Sequence, residues 1–233
     1  MGAPDAPSPI VRQLAPSEDP EATAAILDTL AQAMSQADEN WVWCPTPEHH
    51  AQRWHGIGYN YTLSMRDTKL LFTLADHQAV SFAYWYPEEK ASGDDSWDTP
   101  GGVDTTAWDR PEAPPLLETL AQFLAQAKVD FLEEHGPFLY LAFLAVHPNS
   151  QGQGLGGKIL SHLCQMADAQ GKWIYLEAST GDNSRLYMRH GFVALPNPPK
   201  AWELPGICPG MKLKLIPMAR PPIIKTQQGL RQG

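Results

Sequence analysis

The chain has 233 residues, 43% of them hydrophobic and 18% charged, with a formal charge of −9. That size and apolar share suit one domain with a sizeable core plus an insertion or tails, and exclude disorder driven by charge. The acidic balance excludes a general phosphate-backbone binder, which carries the opposite sign, so no nucleic-acid partner is expected.

Residues 1–9 carry no basic and apolar leader pattern and read as a flexible start, with the domain expected over 10–217. Ile10 to Leu14 alternates and predicts a first strand. Glu18-Asp19-Pro20 opens a helix to about Gln36, with Ile26, Leu30 and Met34 on one face. Thr46-Pro47-Glu48 starts a second helix, with Thr as cap and Pro at the first helical position. Leu70 to Leu74 and Val80 to Tyr86 predict two strands of a hairpin joined by Asp76-His77-Gln78. Residues 88–115 hold eight acidic residues against Lys90 and Arg110 and are dense in Gly and Pro, which predicts a loop insertion.

Leu116 to Glu134 reads as a helix, and the apolar run Phe138 to Val146 as a buried strand, too short to cross a membrane as a helix. His147 to Gln153 is a turn. Gly154 to Gln170 is a helix with Leu155, Ile159, Leu163 and Met166 on one face, ended by Gly171. Trp173 to Leu176 predicts a strand, Asp182 to Arg189 a short helix stopped by Gly191, and Met211 to Ile216 a last strand. Residues 218–233 read as a polar tail. Cys44, Cys164 and Cys208 are odd in number and far apart, which argues against a disulfide framework and a cysteine metal site, and for a reducing, cytoplasmic setting.

The chemistry concentrates at Gln151-Gly152-Gln153-Gly154-Leu155-Gly156-Gly157-Lys158, between a strand and a helix. Glycines let the backbone approach a ligand, and the helix start adds free N–H groups and the positive end of a dipole, which together make a phosphate site. The alternative is a tight turn with glycine for packing. Three phosphate-binding classes compete. A P-loop fails because Ile159 stands where Ser or Thr must ligate Mg²⁺. A G-x-G-x-x-G dinucleotide site fits Gly152, Gly154 and Gly157, with Glu177 as its acidic residue, but the glycines start too far past Val146 and too little chain follows for a doubly wound sheet.

The third reading is a resemblance. Gln151-Gly152-Gln153-Gly154-Leu155-Gly156 resembles the (Arg/Gln)-x-x-Gly-x-(Gly/Ala) signature of the GNAT N-acetyltransferases. The preceding Val146-x-Pro148 is similar to the end of that family's fourth strand. Leu176-Glu177-Ala178-Ser179 and Asn183-x-x-x-Tyr187-x-x-x-Gly191-Phe192 are similar to its fifth strand and fourth helix. The match covers about 138–193, and within the family the Leu-Glu-(Ala/Thr)-Ser segment and the long insert resemble the puromycin N-acetyltransferase branch.

The resemblance implies an α/β (α+β) GNAT fold, with a mixed, mostly antiparallel twisted sheet of six to seven strands flanked by helices. It implies acetyl-CoA as cofactor, with its pyrophosphate on the main-chain amides of Gln151, Gly152, Gln153, Gly154, Gly156 and Gly157. It further implies its pantetheine arm beside the strand edge at Leu144 and Val146, Asn183 on the cofactor, and Tyr187 beside its thiol. Helix-start and core-packing roles are the alternatives for Asn183 and Tyr187. A tyrosine near pKa ~10 is protonated at pH 7 and suits a hydrogen bond to a leaving thiolate better than full proton transfer.

A lysine-like acceptor amine is neutral only about one part in 2,500 at pH 7, worth roughly 4.6 kcal/mol, so a base must help. Phe138 to Val146 has no carboxylate, which leaves Glu177 as the candidate base, directly or through water, with a purely structural carboxylate as the alternative. The expected acceptor is a primary amine of a small molecule or peptide, attacked directly in a ternary complex. Trp41, Trp43, Trp54 and Tyr59 are candidate acceptor-pocket or core residues, and Trp97 and Trp108 in the acidic insert are candidates to cover a cationic amine or simply lie in a solvated loop. His49, His50 and His55 lack a partnering ligand set and read as a polar helix face rather than a metal site. Two other classes stay open: an acyl-CoA-binding regulator without catalysis, and a dinucleotide oxidoreductase.

Overall fold

Helices and strands alternate along the chain so that one sheet is built in the middle and covered on both sides. The computed structural model describes residues 10–37, 40–64, 69–87, 102–179, 181–195, 202–203 and 214–223. In chain order these form β1 (Arg12–Leu14), α1 (Pro20–Met34), α2 (Asn40–Trp43), a 3₁₀ turn (Pro47–His49), α3 (His50–Leu63), β2 (Lys69–Leu74), β3 (Ala79–Tyr86) and α4 (Ala113–His135). Then follow β4 (Phe138–Val146), a second 3₁₀ turn (Pro148–Ser150), α5 (Leu155–Ala169), β5 (Trp173–Ala178), α6 (Gly181–Arg189), β6 (Val193–Ala194), β7 (Trp202–Glu203) and β8 (Lys214–Arg220).

Local chemistry sets the main boundaries. Pro20 opens α1, and the Asp19 carboxylate accepts from the Ala22 amide at 2.9 Å, closing one orphan donor of the first turn. Helix α4 starts at a Pro-rich turn and ends at Gly136, whose φ of 71° the left-handed region reserves for glycine. Thr46 precedes its Pro with an extended backbone but makes no side-chain cap, and the Thr46-Pro47 start produces a 3₁₀ turn that runs into α3. The predicted start is right in place, but the α-helix itself begins only at His50.

The sheet order is β1-β2-β3-β4-β5-β8-β6, with β7 on β8. Every pair is antiparallel except β4–β5, whose strands are joined through α5. This is the expected mixed, mostly antiparallel sheet with flanking helices. The last strand runs on through Arg220, beyond the expected domain end at 217. Arg220 is buried and forms a two-pronged pair with Asp168, both contacts at 2.8 Å, which fixes the strand end to α5. The expected final-strand start at Met211, the expected tail beyond residue 223, Cys208 and the insert residues 88–101, Trp97 among them, lie outside the described residues.

The two sheet faces carry different helices. Leu139, Leu141, Ile174, Leu176 and Ala178 join Ile159, Leu160 and Leu163 of α5 in the larger core. On the opposite face Leu71, Val80, Phe82 and Ala145 pack under Ile26, Leu27 and Leu30 of α1. Further along that same face Ala127 and Phe131 of α4 cover Phe138, Tyr140 and Tyr175. Between these patches β4 slips by one residue: Phe82 pairs Phe143 while Ala83 pairs Leu141, so Ala142 is extra. That bulge places Ala142 and Phe143 on one face in succession, and returns Leu144 and Val146 to the α5 side.

Candidate active site

The parallel pair at the centre of the sheet comes apart. β4 and β5 are paired only over Phe138–Tyr140 against Trp173–Tyr175. Beyond them β5 keeps its ladder with β8 as far as Ala178, and β4 keeps its ladder with β3 as far as Val146. The strands therefore diverge into a V whose β4 arm is the Leu141–Val146 edge. An unpaired strand edge of this kind offers N–H and C=O groups to an extended ligand. Leu144 and Val146, expected along that edge, both lie on this arm and pack toward the α5 core.

The glycine turn stands at the open end of the V. Gly152 and Gly154 have φ of 76° and 75°, and a methyl group at either would meet nothing within 4 Å. Space is free there, so it is the left-handed backbone that demands glycine, since an L side chain would cost about 1–2 kcal/mol. Gly156 and Gly157 are different. An added Cβ would sit 3.3 Å from Val146 at Gly156 and 3.5 Å from the His190 ring at Gly157. Two glycines thus shape an open cradle and two let α5 approach its neighbours. The first α-helical bond is donated by Lys158 to the Gly154 carbonyl at 3.1 Å, which leaves the amides of Leu155, Gly156 and Gly157 without helical acceptors. Leu155 joins the expected set on that ground. Gln151, Gly152, Gln153 and Gly154 are exposed, but the Gln151 amide, expected in the phosphate set, donates to the Pro148 carbonyl at 3.4 Å and closes the 3₁₀ turn.

Residues that the sequence did not single out support this turn. The His147 amide donates to the Gln78 carbonyl at 2.8 Å, and the Ser150 hydroxyl to Gln78 Oε1 at 2.9 Å, so the β2–β3 turn buttresses the glycines. His190, at the end of α6, lies 3.0 Å through Nδ1 from the Leu186 carbonyl and 3.2 Å through Nε2 from that of Gly157. Its ring staples α6 to the first turn of α5. The contact joins residues 33 apart, and nothing in the sequence signals it.

The two candidate catalytic side chains fall on opposite faces of the sheet. Tyr187 is buried on the α5 side among the larger core, its ring 5.8 Å from Phe192, and burial pushes its hydroxyl up to about 12. Asn183, one turn earlier on α6, is exposed and donates to the Ser179 hydroxyl at 3.4 Å. Glu177 shares a strand side with Tyr175 and lies just past the last β4–β5 pair. Its Oε2 accepts from the Tyr140 hydroxyl at 2.8 Å, and its Oε1 is buried without a hydrogen-bond partner. Burial raises its carboxyl above the ordinary range, opposed first by the Lys128 ammonium and then by the Tyr140 hydroxyl. A buried carboxyl raised in this way beside a strand gap is a candidate for proton transfer.

The remaining candidates separate. Trp54 stands edge-on to Phe143 at 5.9 Å, on the side away from α5, and donates to Asn40 Oδ1 at 2.6 Å. Trp43 packs with Ala113 and Leu116 at the start of α4, and Tyr59 is exposed. His50 is buried against the Cys44 carbonyl, and His49 stacks on Trp108. His55, Gln52, Asp104 and Trp108 line a cavity of about 200 Å³ outside α3. Among the described residues no group of three or more His, Cys, Asp or Glu is placed to hold a metal, and no helix is long and apolar enough to cross a membrane.

Residues 120–194 match the family model described as an acetyltransferase (GNAT) domain. Solved structures share the fold over nearly the whole chain. A polyamine N-acetyltransferase from Drosophila melanogaster aligns with a TM-score of 0.60 at 16% identity, over 92% of this chain and 100% of its own. A protein of Corynebacterium glutamicum described as a histone acetyltransferase HPA2 and related acetyltransferase gives 0.54 at 20% identity, over 94% and 99%. Arylalkylamine N-acetyltransferase 2 from Aedes aegypti gives 0.53 at 11%, over 91% and 98%. The matched residues span the V, the glycine turn, α5, β5 and α6, the parts on which the site is built, and this stretch is similar to the GNAT acetyltransferase domain.

Proposed function

We propose that the chain is an acetyl-CoA-dependent N-acetyltransferase that acetylates a primary amine of a small molecule or peptide by direct attack in a ternary complex. The observation that carries this is the V between β4 and β5, with an open cradle of positive-φ glycines at the start of α5. The cradle amides from Gly152 to Gly157 suit a pyrophosphate, and the β4 edge at Leu144 and Val146 suits an extended amide-bearing arm. When bound, acetyl-CoA supplies an activated acetyl thioester. Glu177 takes the proton of the amine, directly or through one water, on the face away from α5. Tyr187 keeps its proton, as its raised hydroxyl requires, and presents it as a hydrogen-bond donor on the other face. Asn183, at the exposed start of α6, orients the coenzyme. Structures of the same fold are described as polyamine, agmatine and arylalkylamine acetyltransferases, and a small amine is the acceptor class taken over here. The odd cysteine count supports a reducing, cytoplasmic setting.

The test is thiol release from acetyl-CoA in the presence of agmatine, spermidine, tryptamine and a peptide with a free amino terminus. Amine-dependent release is the expected result. Tight acetyl-CoA binding without release on any amine would overturn the enzymatic reading in favour of a coenzyme-binding regulator, and NAD(P)H binding without CoA affinity would overturn both.

A further inference from the structure

A base must be ionised when the amine arrives, and the surroundings of Glu177 oppose that. Its register partner on β8 is Pro217, which brings no charge. The groups that act on it are Lys128 from α4, Tyr140 from β4 and Tyr175 from its own strand, while Tyr84 from β3 acts on Tyr140 and Asp130 from α4 on Tyr175. In that set Lys128 is the one cation.

Lys128 is delivered there by packing. Ala127 and Phe131, four apart on α4, bury against the Phe138–Tyr140–Tyr175 patch. Lys128 follows Ala127 and is half-buried, so its stem runs along the apolar seam while its charged end stays beside the Tyr140 ring. Its Nζ stands 4.7 Å from the centre of the Tyr140 ring. The hydroxyl of that same ring donates to Glu177 Oε2 at 2.8 Å. A cation on the π face holds the phenol in place and makes its O–H a better donor to a charged oxygen. Glu177 Oε1 and the Tyr175 hydroxyl are both buried and next to each other, neither in a fully formed hydrogen bond, beside the strand gap.

We propose that Lys128 is a positioning residue for acetyl transfer: acting from α4 through Tyr140 and through its own charge, it favours the ionised Glu177 carboxylate that takes the acceptor's proton. The inference rests on Glu177 being the base.

The experiment measures kcat/KM for the best amine of the panel above against pH, at saturating acetyl-CoA, for the wild type and for K128M, K128R, Y140F and E177Q. In K128M the acidic limb moves to higher pH by about one unit, so that the rate on that limb falls about tenfold, while the plateau and the KM for acetyl-CoA hold. K128R restores the limb, and Y140F moves it in the same direction by less. An unmoved limb in K128M, or an equal loss at every pH, overturns the role of Lys128. Loss of the limb and of most activity in E177Q supports the base itself. A wild-type profile in E177Q removes the base, and the present inference with it. Should K128M fail to give a cooperative melt, K128Q replaces it under the same criteria.

Discussion

Keeping a charge on Glu177 works against folding. Burial raises its carboxyl, so the folded state holds the proton more tightly than the unfolded chain does. Its contribution to stability is therefore full below the unfolded value and is lost as pH rises through the folded one. E177Q keeps the shape and removes the charge. Scanning calorimetry at pH 8 should show a higher Tm than wild type, with the difference vanishing on acidification. Thiol release should fall by roughly 10²- to 10⁴-fold. Tyr187 has the opposite character. Its hydroxyl, pushed up to about 12, stays protonated through the working range. Y187F should lower kcat by roughly 10²-fold, with acetyl-CoA affinity measured by calorimetry nearly unchanged. The sequence identified both residues but not their faces. Strand alternation puts Glu177 with Tyr175, yet only the pairing of β4 with β5 brings Tyr140 to it.

At the scale of elements the glycine turn makes a sharper prediction than any single contact. Gly154→Ala should cost about 1–2 kcal/mol in backbone strain, read as a lower Tm, since space for a methyl is free. Gly154→Glu adds a negative charge facing the cradle, and coenzyme affinity by titration calorimetry should fall below that of the alanine variant by about tenfold or more. Long, strongly patterned elements were legible. Phe138–Val146 has its predicted bounds, and α1, α5, α6 and the β2–β3 hairpin fall within a few residues of theirs. Short ones were not, because α2, β6 and β7 span at most four residues and owe their shape to neighbours rather than to periodicity. The β4 bulge has no Gly or Pro to announce it. Ala142 reads as one more apolar residue in an apolar run, and only the register with Phe82 and Ala83 shows it to be extra.

At the scale of the molecule the tail of the insert proves to be part of the architecture. Segment 102–110 is pinned to α3: Asn60 exchanges two hydrogen bonds with the Val103 backbone, both at 2.8 Å, and Arg53 grips Asp109 at 2.7 and 3.2 Å in a buried pair. D109A would leave a buried guanidinium unpaired, at about 3–5 kcal/mol, so a thermal melt should drop by about 6–20 °C. The sequence marked this stretch as an acidic loop, since charge and Gly/Pro density carry no trace of partners on a helix far away in the chain. The excursion that ends in α4 has a wider consequence. It leaves from Tyr86 and returns at Phe138, which are neighbours in the ladder, so the detour is a module inserted at a point where a tight hairpin would also close. The glycine turn, α5 and α6 lie on the other side of the sheet. The excursion can therefore be exchanged as one unit while the glycine turn and its helices stay as they are.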